Sequence, residues 1–230
     1  MINSTKLNKI KKWALNLLIG WFSVTIIWVL LFRWVDPPST LTMVLKYQFS
    51  GKNYCYDWVD YDNISNQIKL AAIASEDQNF PNHLGFDFEA IGKAVKFNKG
   101  HKKVRGASTI SQQVAKNVFL WPGRSYIRKA FEAYFTILIE LLWSKERILE
   151  TYLNIAEMGK GIFGVKCASS HYFNKKPKTL TNNEAARIIS ILPSPLKWSP
   201  THSGPFVVRR QAWISDQMRE LGGINYLREL

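Results

Sequence analysis

The chain has 230 residues, 47% of them hydrophobic, and a formal net charge of +14 from 31 Lys and Arg against 17 Asp and Glu. The apolar content excludes a disordered chain, and the 13 Gly, 9 Pro and two Cys exclude collagen-like and disulfide-scaffold classes. The charge is concentrated in two places. Residues 1–36 hold five basic residues and one acid, and ten Lys or Arg without any Asp or Glu lie between Lys93 and Lys129. Nucleic acid, a membrane surface or an acidic ligand could attract such an excess, so each location is interpreted separately.

The first charge excess lies beside an apolar segment long enough to cross a membrane. From Trp13 to Phe32 no residue is charged, and a helix of this length spans roughly 30 Å. A cleaved signal peptide is the alternative, but the apolar run is longer than a signal core and no small-residue cleavage site follows it. Lysines and no acid precede the run, so the positive-inside rule places the N-terminus in the cytoplasm. We predict a cytoplasmic basic arm at 1–12, a transmembrane helix at 13–35, a juxtamembrane segment at 36–60 and one exported domain at 61–230.

The exported part is predicted to be mainly α-helical, because strand signals are scarce. Helical spacing and capping residues indicate helices at 66–75, 88–97, 109–119, 125–143, 145–154, 162–172, 181–192 and 205–221. Cys55 and Cys167 lie where an oxidising compartment permits a disulfide, but the sequence leaves their pairing open. The chain has no C-x-x-C motif and no cluster of His, so no metal site is predicted.

A first group of ionisable side chains follows the apolar helix at 66–75. It reads Glu76-Asp77-x-x-Phe80-x-x-His83-x-Gly85-x-Asp87. A carboxylate at the end of a buried helix is partly desolvated, which suits general acid or base catalysis. The alternative is a polar helix end with a capping role, and a metal cluster is disfavoured because the spacing matches no common ligand signature.

A second motif lies inside the acid-free block and reads Gly106-Ala107-Ser108-Thr109-Ile110-Ser111-Gln112-Gln113-Val114-Ala115-Lys116-Asn117. Ser108 or Thr109 can cap a helix whose first amide groups suit an anionic oxygen. Gln112, Lys116 and Asn117 would present further donors one turn along. A solvated basic helix is the alternative, but ten cations without a carboxylate favour a phosphate-bearing partner.

A third motif, Arg124-x-x-x-Arg128-Lys129-x-x-Glu132, opens the next helix. In one interpretation, Arg128 and Glu132 form an ordinary i,i+4 ion pair on a helix surface. In the other, Arg124 and Lys129 bind phosphate, and Glu132 is a second carboxylate that faces the first motif across a cleft.

Two more segments follow in the same order: Lys145-x-x-Ile148-Leu149-Glu150-x-Tyr152-Leu153-Asn154, and Ala185-Ala186 to Pro193-x-Pro195. Together the five blocks, from Ala71 to Pro200, closely resemble the five motifs of the family 51 glycosyltransferases, which are the peptidoglycan glycosyltransferases. The whole chain resembles their monofunctional biosynthetic form. The resemblance implies a mainly α, lysozyme-like glycosyltransferase domain behind a single N-terminal transmembrane helix. The domain would lie on the periplasmic side of the bacterial cytoplasmic (inner) membrane.

The implied activity is polymerisation of lipid II into β-1,4-linked glycan strands, with inversion, release of undecaprenyl pyrophosphate and no transpeptidase activity. Glu76 matches the family's catalytic base and Glu132 its second glutamate, near the donor pyrophosphate. The resemblance implies substrate binding at Asp77, Phe80, His83, Ser108, Thr109, Gln112, Gln113, Lys116, Asn117, Arg124, Arg128, Lys129, Glu150, Tyr152 and Asn154. No cofactor is required, and assistance by a divalent cation at the diphosphate is left open.

The implied partners are lipid II, the growing glycan chain, membrane lipids and other cell-wall synthesis or division proteins. Nucleic acid is not expected, because the predicted topology places the domain outside the cell. In this family a segment such as Val118 to Trp121 dips into the membrane, although packing in the core is an equal alternative. The basic residues Lys99, Lys102, Lys103 and Arg105 are expected to face anionic headgroups.

Two other enzyme classes share part of this sequence pattern. A membrane-anchored, lysozyme-like glycoside hydrolase would also use a glutamate at a helix end and a second carboxylate across a cleft. The acid-free basic block opposes it, because a hydrolase has no leaving diphosphate to stabilise. Ser194-Pro195-Leu196-Lys197 fits the Ser-x-x-Lys motif of transpeptidases, but it lacks the Ser-Asp-Asn and Lys-Thr-Gly partners and is interpreted as chance.

Overall fold

A computed structural model describes residues 4–100, 106–123, 125–202 and 204–230. Over these residues the protein is mainly helical, as predicted. The helices are α1 (Ser4–Trp34), α2 (Leu41–Met43), α3 (Asn66–Glu76), α4 (Phe88–Gly100), α5 (Ile110–Phe119), α6 (Tyr126–Leu142), α7 (Lys145–Ile155), α8 (Gly164–Phe173), α9 (Asn182–Ser190) and α10 (Pro205–Glu220). Two short strands, β1 (Cys55–Tyr56) and β2 (Ile162–Phe163), pair in parallel. The chain divides into two compact units, Met1–Asp36 and Pro37–Leu230.

The first unit is the helix α1. Its stretch Asn8–Trp34 has a mean hydropathy of 2.2 and is long and apolar enough to cross a membrane. The helix begins at Ser4, earlier than the predicted start at residue 13, because lysines are good helix formers and the basic segment continues the helix. It ends at Trp34, three residues before Pro37, as expected from the conformational restriction that proline imposes on the residue before it.

The core of the second unit forms around α3. Residues 68–74 of this helix are all buried, and α3 packs against α9 and α10, while α5 packs against α6 and α7. Side-chain oxygens cap the helices where the sequence places Ser or Thr. The N-cap residues are Ser65, Thr109, Ser125, Ser144 and Thr181. Each cap satisfies an amide group that would otherwise lack a partner, so these helix starts follow from local sequence.

The segment predicted as juxtamembrane, 36–60, packs as part of this second unit from Pro37 onwards. It includes α2, a π-helical turn at Val44–Gln48 and β1. Lys46 Nζ lies 2.7 Å from Glu157 Oε2, and the Tyr47 hydroxyl donates to the other oxygen of Glu157. The backbone N–H of Gly161 donates to the Tyr47 hydroxyl at 3.0 Å. The compact unit therefore begins well before residue 61.

A disulfide joins this segment to α8. Cys55 on β1 and Cys167 are bonded, with their Cα atoms 5.9 Å apart and 112 positions between them in sequence. The strand pairing places Cys55 opposite Ile162. Residues 162–163 are therefore extended rather than part of the helix predicted at 162–172, which begins instead at Gly164. At this glycine φ is +78°, and a Cβ would collide with the backbone of Asn154.

Candidate active site

The predicted base, Glu76, is the last residue of α3, and its side chain is 17% exposed. Gln113 on α5 donates from Nε2 to Glu76 Oε2 at 3.2 Å. Arg210 on α10 lies on the other side, with Nη2 3.4 Å from Glu76 Oε1 and 3.0 Å from the Ser75 hydroxyl. The carboxylate is therefore held between an amide and a guanidinium, and it stays accessible to a substrate.

Beside Glu76 lies a cavity of about 200 Å³. Gln113, Lys116 and Asn117 line it, because their spacing of three and four residues places them on one face of α5. The wall also includes residues from other elements: Thr40, Thr42, Tyr152, Ile155, Ala156, Glu157, Phe163, Leu192 and Pro195. Gln113 donates to Glu76 and also lines this cavity, so Glu76, the predicted base, and Lys116 belong to one continuous site.

Lys116 is a cation largely withdrawn from water. Its burial, reinforced by the positive charges of Arg128 and Lys129, lowers the pKa of Lys116 below its usual value, although Glu132 acts in the opposite direction. No carboxylate of the described residues lies within salt-bridge distance of its ammonium group. A partly buried cation without a direct ion-pair partner is unfavourable by itself, so this geometry suits an anionic ligand.

Glu132, the second predicted carboxylate, is buried on α6, and its side chain is 4% exposed. Arg128 Nη1 donates to Glu132 Oε2 at 3.1 Å, and Lys129 Nζ donates to Oε1. The predicted i,i+4 pair is confirmed, but it is a buried pair and not the surface pair of the simpler interpretation. Arg128 Nε is buried and has no hydrogen-bond partner among the described residues. Arg124 lies outside the described residues, as do Lys102, Lys103 and Arg105, whereas Lys99 is exposed on α4.

Asp77 and His83 help to hold together the helices that carry Glu76 and Lys116. His83 Nδ1 accepts from the Gly85 N–H at 3.1 Å, so the ring proton is on Nε2, which donates to Asp77 Oδ1 at 2.9 Å. Asp77 Oδ2 accepts from the N–H of Ile110, the first residue of α5, at 2.9 Å. Both carboxylate oxygens are thus occupied within the protein, and they connect the end of α3 to the start of α5.

Thr109 and Gln112 form a capping box at the start of α5. The Thr109 hydroxyl also donates to the Gly85 carbonyl at 2.7 Å, so both side chains are buried and engaged. Ser108, one residue earlier, is exposed. Of the polar residues predicted on this helix, Gln113, Lys116 and Asn117 therefore line the cavity, whereas Thr109 and Gln112 build the helix that carries them.

Phe80 is fully buried and packs under a lysine. Lys145 Nζ lies 4.6 Å from the centre of the Phe80 ring, donates to the His83 carbonyl at 2.6 Å and lies 2.9 Å from Glu140 Oε2. Glu140 also accepts from Ser111 on α5. This network ties α5, α6 and α7 together behind the site.

Asn154 on α7 holds the end of the 36–60 segment in place, and Glu150 holds Tyr61 directly after it. Asn154 Oδ1 accepts from the Val59 N–H, and its Nδ2 donates to the Val59 carbonyl, both at 2.9 Å. Glu150 Oε1 accepts from the Tyr61 N–H at 2.7 Å, and Oε2 accepts from Arg147 at 2.7 Å. Tyr152, between them in sequence, instead lines the cavity. Its burial and the nearby charge of Glu76 raise the pKa of Tyr152, so its hydroxyl stays protonated and can donate.

Arg210 and the cavity residues of the 36–60 segment were missed by the sequence analysis. Arg210 lies 134 positions from Glu76, in a helix for which the sequence analysis predicted no site residue. Thr40 and Thr42 precede the predicted domain boundary. The only usable signal was that α10 places arginines on a helix beside large aromatic residues, and this pattern alone does not identify a partner.

The apolar run after Lys116 is divided between core and surface. Val118, Phe119 and Leu120 are buried, and Phe119 stacks on Phe135 with ring centres 4.8 Å apart, which confirms the core alternative for these three. Trp121 is exposed. Further exposed apolar side chains occur on α6, and Ile127, Ile137 and Leu141 share one face of that helix.

Within the described ranges, no group of three or more His, Cys, Asp and Glu side chains could hold a metal ion. The positive charge around the cavity is supplied by Lys and Arg side chains alone in this part of the chain.

Comparison with known proteins identifies the family. The sequence model of the family described as Transglycosylase matches residues 43–219. The biosynthetic peptidoglycan transglycosylase of Pseudomonas putida (strain GB-1) is 50% identical over 216 residues, covering 91% of this chain and 92% of that protein. The protein of the same name from Pseudomonas fluorescens (strain SBW25) is 48% identical over 218 residues, covering 92% and 91%. The chain therefore belongs to the transglycosylase family.

Proposed function

We propose that the protein is a peptidoglycan glycosyltransferase that polymerises lipid II into β-1,4-linked glycan strands and releases undecaprenyl pyrophosphate. One observation carries this proposal. Gln113 joins an accessible carboxylate, Glu76, to a cavity whose wall contains Lys116, a partly buried cation that has no direct salt bridge with the described residues. A reaction that removes a proton from a hydroxyl and expels a diphosphate requires this pairing of a base with a cationic pocket.

In the proposed mechanism, Glu76 acts as the general base. Its carboxylate accepts the proton from the 4-hydroxyl of the acceptor sugar as that oxygen attacks the anomeric carbon of the donor. The bond from the anomeric carbon to the diphosphate oxygen breaks, and the configuration inverts. Gln113 and Arg210 hold the carboxylate oxygens, which limits the entropy cost of orienting the base.

The leaving diphosphate gains negative charge as its bond to the sugar breaks. Lys116 is placed to stabilise this charge from the cavity wall, with Arg128 and Lys129 contributing further positive charge nearby. Glu132 is proposed to position Arg128 and Lys129, since it pairs with both of them. Asp77, His83, Thr109 and the other interior motif residues described above hold the helices that carry these groups.

The mechanism needs no resident cofactor, because lysine and arginine can neutralise a diphosphate by themselves. Assistance by a divalent cation remains a separate hypothesis. It is tested by measuring turnover after exhaustive treatment with a chelator and again after Mg²⁺ or Mn²⁺ is restored.

We propose that α1 attaches the protein to the membrane, and the orientation of α1 is part of the same proposal. The basic residues precede the apolar stretch, so we place the N-terminus in the cytoplasm and the catalytic unit on the periplasmic side of the inner membrane. The exposed apolar face of α6 and Trp121 are suited to contact with membrane lipids. Lipid II and the growing glycan chain are the expected substrates.

The test uses the purified full-length protein with labelled lipid II in detergent. We expect a ladder or smear of high-mass glycan on a gel, which muramidase digestion converts to small fragments. Glu76→Gln should retain the helical circular dichroism spectrum and make no polymer. Near-normal polymerisation by this variant would remove Glu76 from the role of base.

The hydrolase alternative is decided with the same protein. A glycoside hydrolase would release short fragments from finished glycan strands and would leave lipid II unpolymerised. The cation Lys116, which has no direct salt bridge in the described part of the chain, opposes this activity, because a neutral glycosidic bond provides no anionic leaving group.

A further inference from the structure

The cavity of about 200 Å³ that Lys116 lines, here called the Lys116 cavity, has one wall that the five motifs do not supply. Thr40, the residue before α2, lines this cavity, and α2 packs against α5, the helix that carries Lys116. Thr40 precedes residues 43–219, which match the sequence model of the family. The part of the chain between α1 and the motifs therefore contributes directly to the candidate active site.

Contacts within the second unit fix this wall. Thr40 begins a stretch that continues through α2 into the π-helical turn Val44–Gln48. At the end of this stretch, Lys46 and Tyr47 both contact Glu157, which also lines the cavity. The position of Thr40 is therefore set by the same packing that forms the rest of the cavity.

The hydroxyl of Thr40 has a proton that the protein does not use. Thr40 is 2% exposed and is the N-cap of α2, where its Oγ1 accepts from the Met43 N–H at 3.3 Å. The Thr40 N–H donates in turn to the Met43 sulfur at 3.4 Å. Its hydroxyl, however, donates to no acceptor among the described residues. A buried O–H without an acceptor is unfavourable, so this donor is available to a ligand in the cavity that Thr40 lines.

The Lys116 cavity has a surplus of hydrogen-bond donors. The Lys116 ammonium, the Asn117 amide and the Tyr152 hydroxyl line it, and none of them has a side-chain hydrogen bond in the part of the chain that the structure describes. Glu157 is the carboxylate in its described wall, and the two contacts given above already occupy both of its oxygens. A ligand that satisfies these donors, and Thr40 with them, must offer several acceptor oxygens. A diphosphate does so, and its negative charge also matches Lys116.

We propose that Thr40 is a donor-binding residue, whose hydroxyl donates a hydrogen bond to an oxygen of the donor diphosphate. This inference rests on the proposed function, which makes that diphosphate the ligand of the Lys116 cavity. Lys116 supplies charge from α5, and Thr40 supplies a neutral donor from the start of α2, so the diphosphate is held between two elements. Because Oγ1 accepts from Met43 while its proton is donated elsewhere, one hydroxyl both caps α2 and binds the ligand.

The test separates the role of the hydroxyl proton from the role of the helix cap. Thr40→Ser keeps both the cap and the O–H. Thr40→Asp keeps a good N-cap acceptor but, when ionised, has no proton to donate, and Thr40→Ala removes both functions. Thr181→Ala is the matched control, because Thr181 caps α9 in the same way, accepting from the Glu184 N–H, and is not among the residues that line the cavity.

The probe is farnesyl diphosphate, which carries a lipid-linked diphosphate without any sugar. Its Kd is measured by calorimetry with each full-length protein in detergent. Thr40→Ala and Thr40→Asp should each raise this Kd roughly tenfold or more, whereas Thr40→Ser and Thr181→Ala should stay within about twofold of the wild type. Lys116→Ala should raise it as well, because the probe occupies the same cavity. In polymerisation of lipid II, kcat/KM should fall in Thr40→Ala and Thr40→Asp and not in Thr40→Ser.

Weaker binding in Thr40→Ala alone would show that Thr40 acts only as a helix cap. Weaker binding in Thr40→Asp alone would show that the added charge repels the probe and that no hydrogen bond was lost. Either result would overturn the inference, as would an unchanged Kd in both variants or in Lys116→Ala. Wild-type protein that binds farnesyl diphosphate but makes no glycan from lipid II would instead refute the proposed function, and the Kd values would still decide whether Thr40 contacts a diphosphate.

Discussion

The disulfide between Cys55 and Cys167 provides the most quantitative prediction for this protein. It closes a loop across a sequence separation of 112 residues. In the chain-entropy model, this closure lowers the entropy of the unfolded chain by about 16 cal/mol/K, which corresponds to about 4.8 kcal/mol at 25 °C. Removal of the bond should therefore destabilise the folded unit by roughly this amount.

The expected change in melting temperature follows from the size of the unit. The second unit, Pro37–Leu230, contains 194 residues. At about 2.1 cal/mol/K per residue, its unfolding entropy is about 0.4 kcal/mol/K, so a loss of 4.8 kcal/mol lowers Tm by about 12 °C.

The assay is thermal unfolding followed by circular dichroism in detergent, with and without a reducing agent. The double variant Cys55→Ser, Cys167→Ser serves as the matched control, because its Tm should be low and insensitive to the reductant. An unchanged Tm in the reduced wild-type protein would refute the entropic argument. Two thiols that react with an alkylating agent in the native, unreduced protein would refute the disulfide itself.

Substitutions at three other positions, Lys116, Gly85 and Asn154, test the site and its support. Lys116→Ala should lower kcat/KM for lipid II by roughly a hundredfold or more, whereas the control Lys178→Ala at the surface should change kcat/KM little. Equal effects of the two substitutions would contradict the role of Lys116 in stabilising the leaving diphosphate. Burial lowers the pKa of Lys116, so kcat/KM of the wild-type protein should begin to fall with rising pH below the pH at which an ordinary lysine loses its proton. In Lys116→Arg, this alkaline decrease should move to higher pH. Identical pH profiles of the two proteins would show that the decrease does not come from Lys116. Gly85→Ala should lower the free energy of unfolding, measured with denaturant, by about 2–4 kcal/mol, because φ at Gly85 is +83° and the new Cβ would lie 2.5 Å from Thr136 Cγ2. A decrease below about 0.5 kcal/mol would show that the loop relaxes to accommodate the methyl group. Asn154→Ala should cost about 2–4 kcal/mol in the same assay, since it leaves two backbone groups of a buried residue without partners.

Local sequence determined the helices and the location of the positive charge. Apolar spacing and the caps at Ser65, Thr109, Ser125 and Thr181 act over three or four residues, so the predicted helix starts after these caps agree with the structure to within one or two residues. The apolar stretch of α1 is likewise a property of consecutive residues, although the extension of the helix back to Ser4 was not predicted. The motifs also indicated which helices would carry Glu76, Lys116 and Glu132.

Only the tertiary structure decided which of the motif residues face the cavity and which support it. Lys116 and Asp77 both belong to the motifs, but Lys116 has no salt bridge in the described part of the chain, whereas both oxygens of Asp77 are occupied. The sequence also did not predict which distant residues pair. Three such pairs, 134, 112 and 95 positions apart in sequence, are Arg210 with Glu76, Cys55 with Cys167, and Asn154 with Val59. The physical reason is that helical periodicity and capping are interactions between near neighbours in sequence, whereas these pairs form only when separate helices pack around α3.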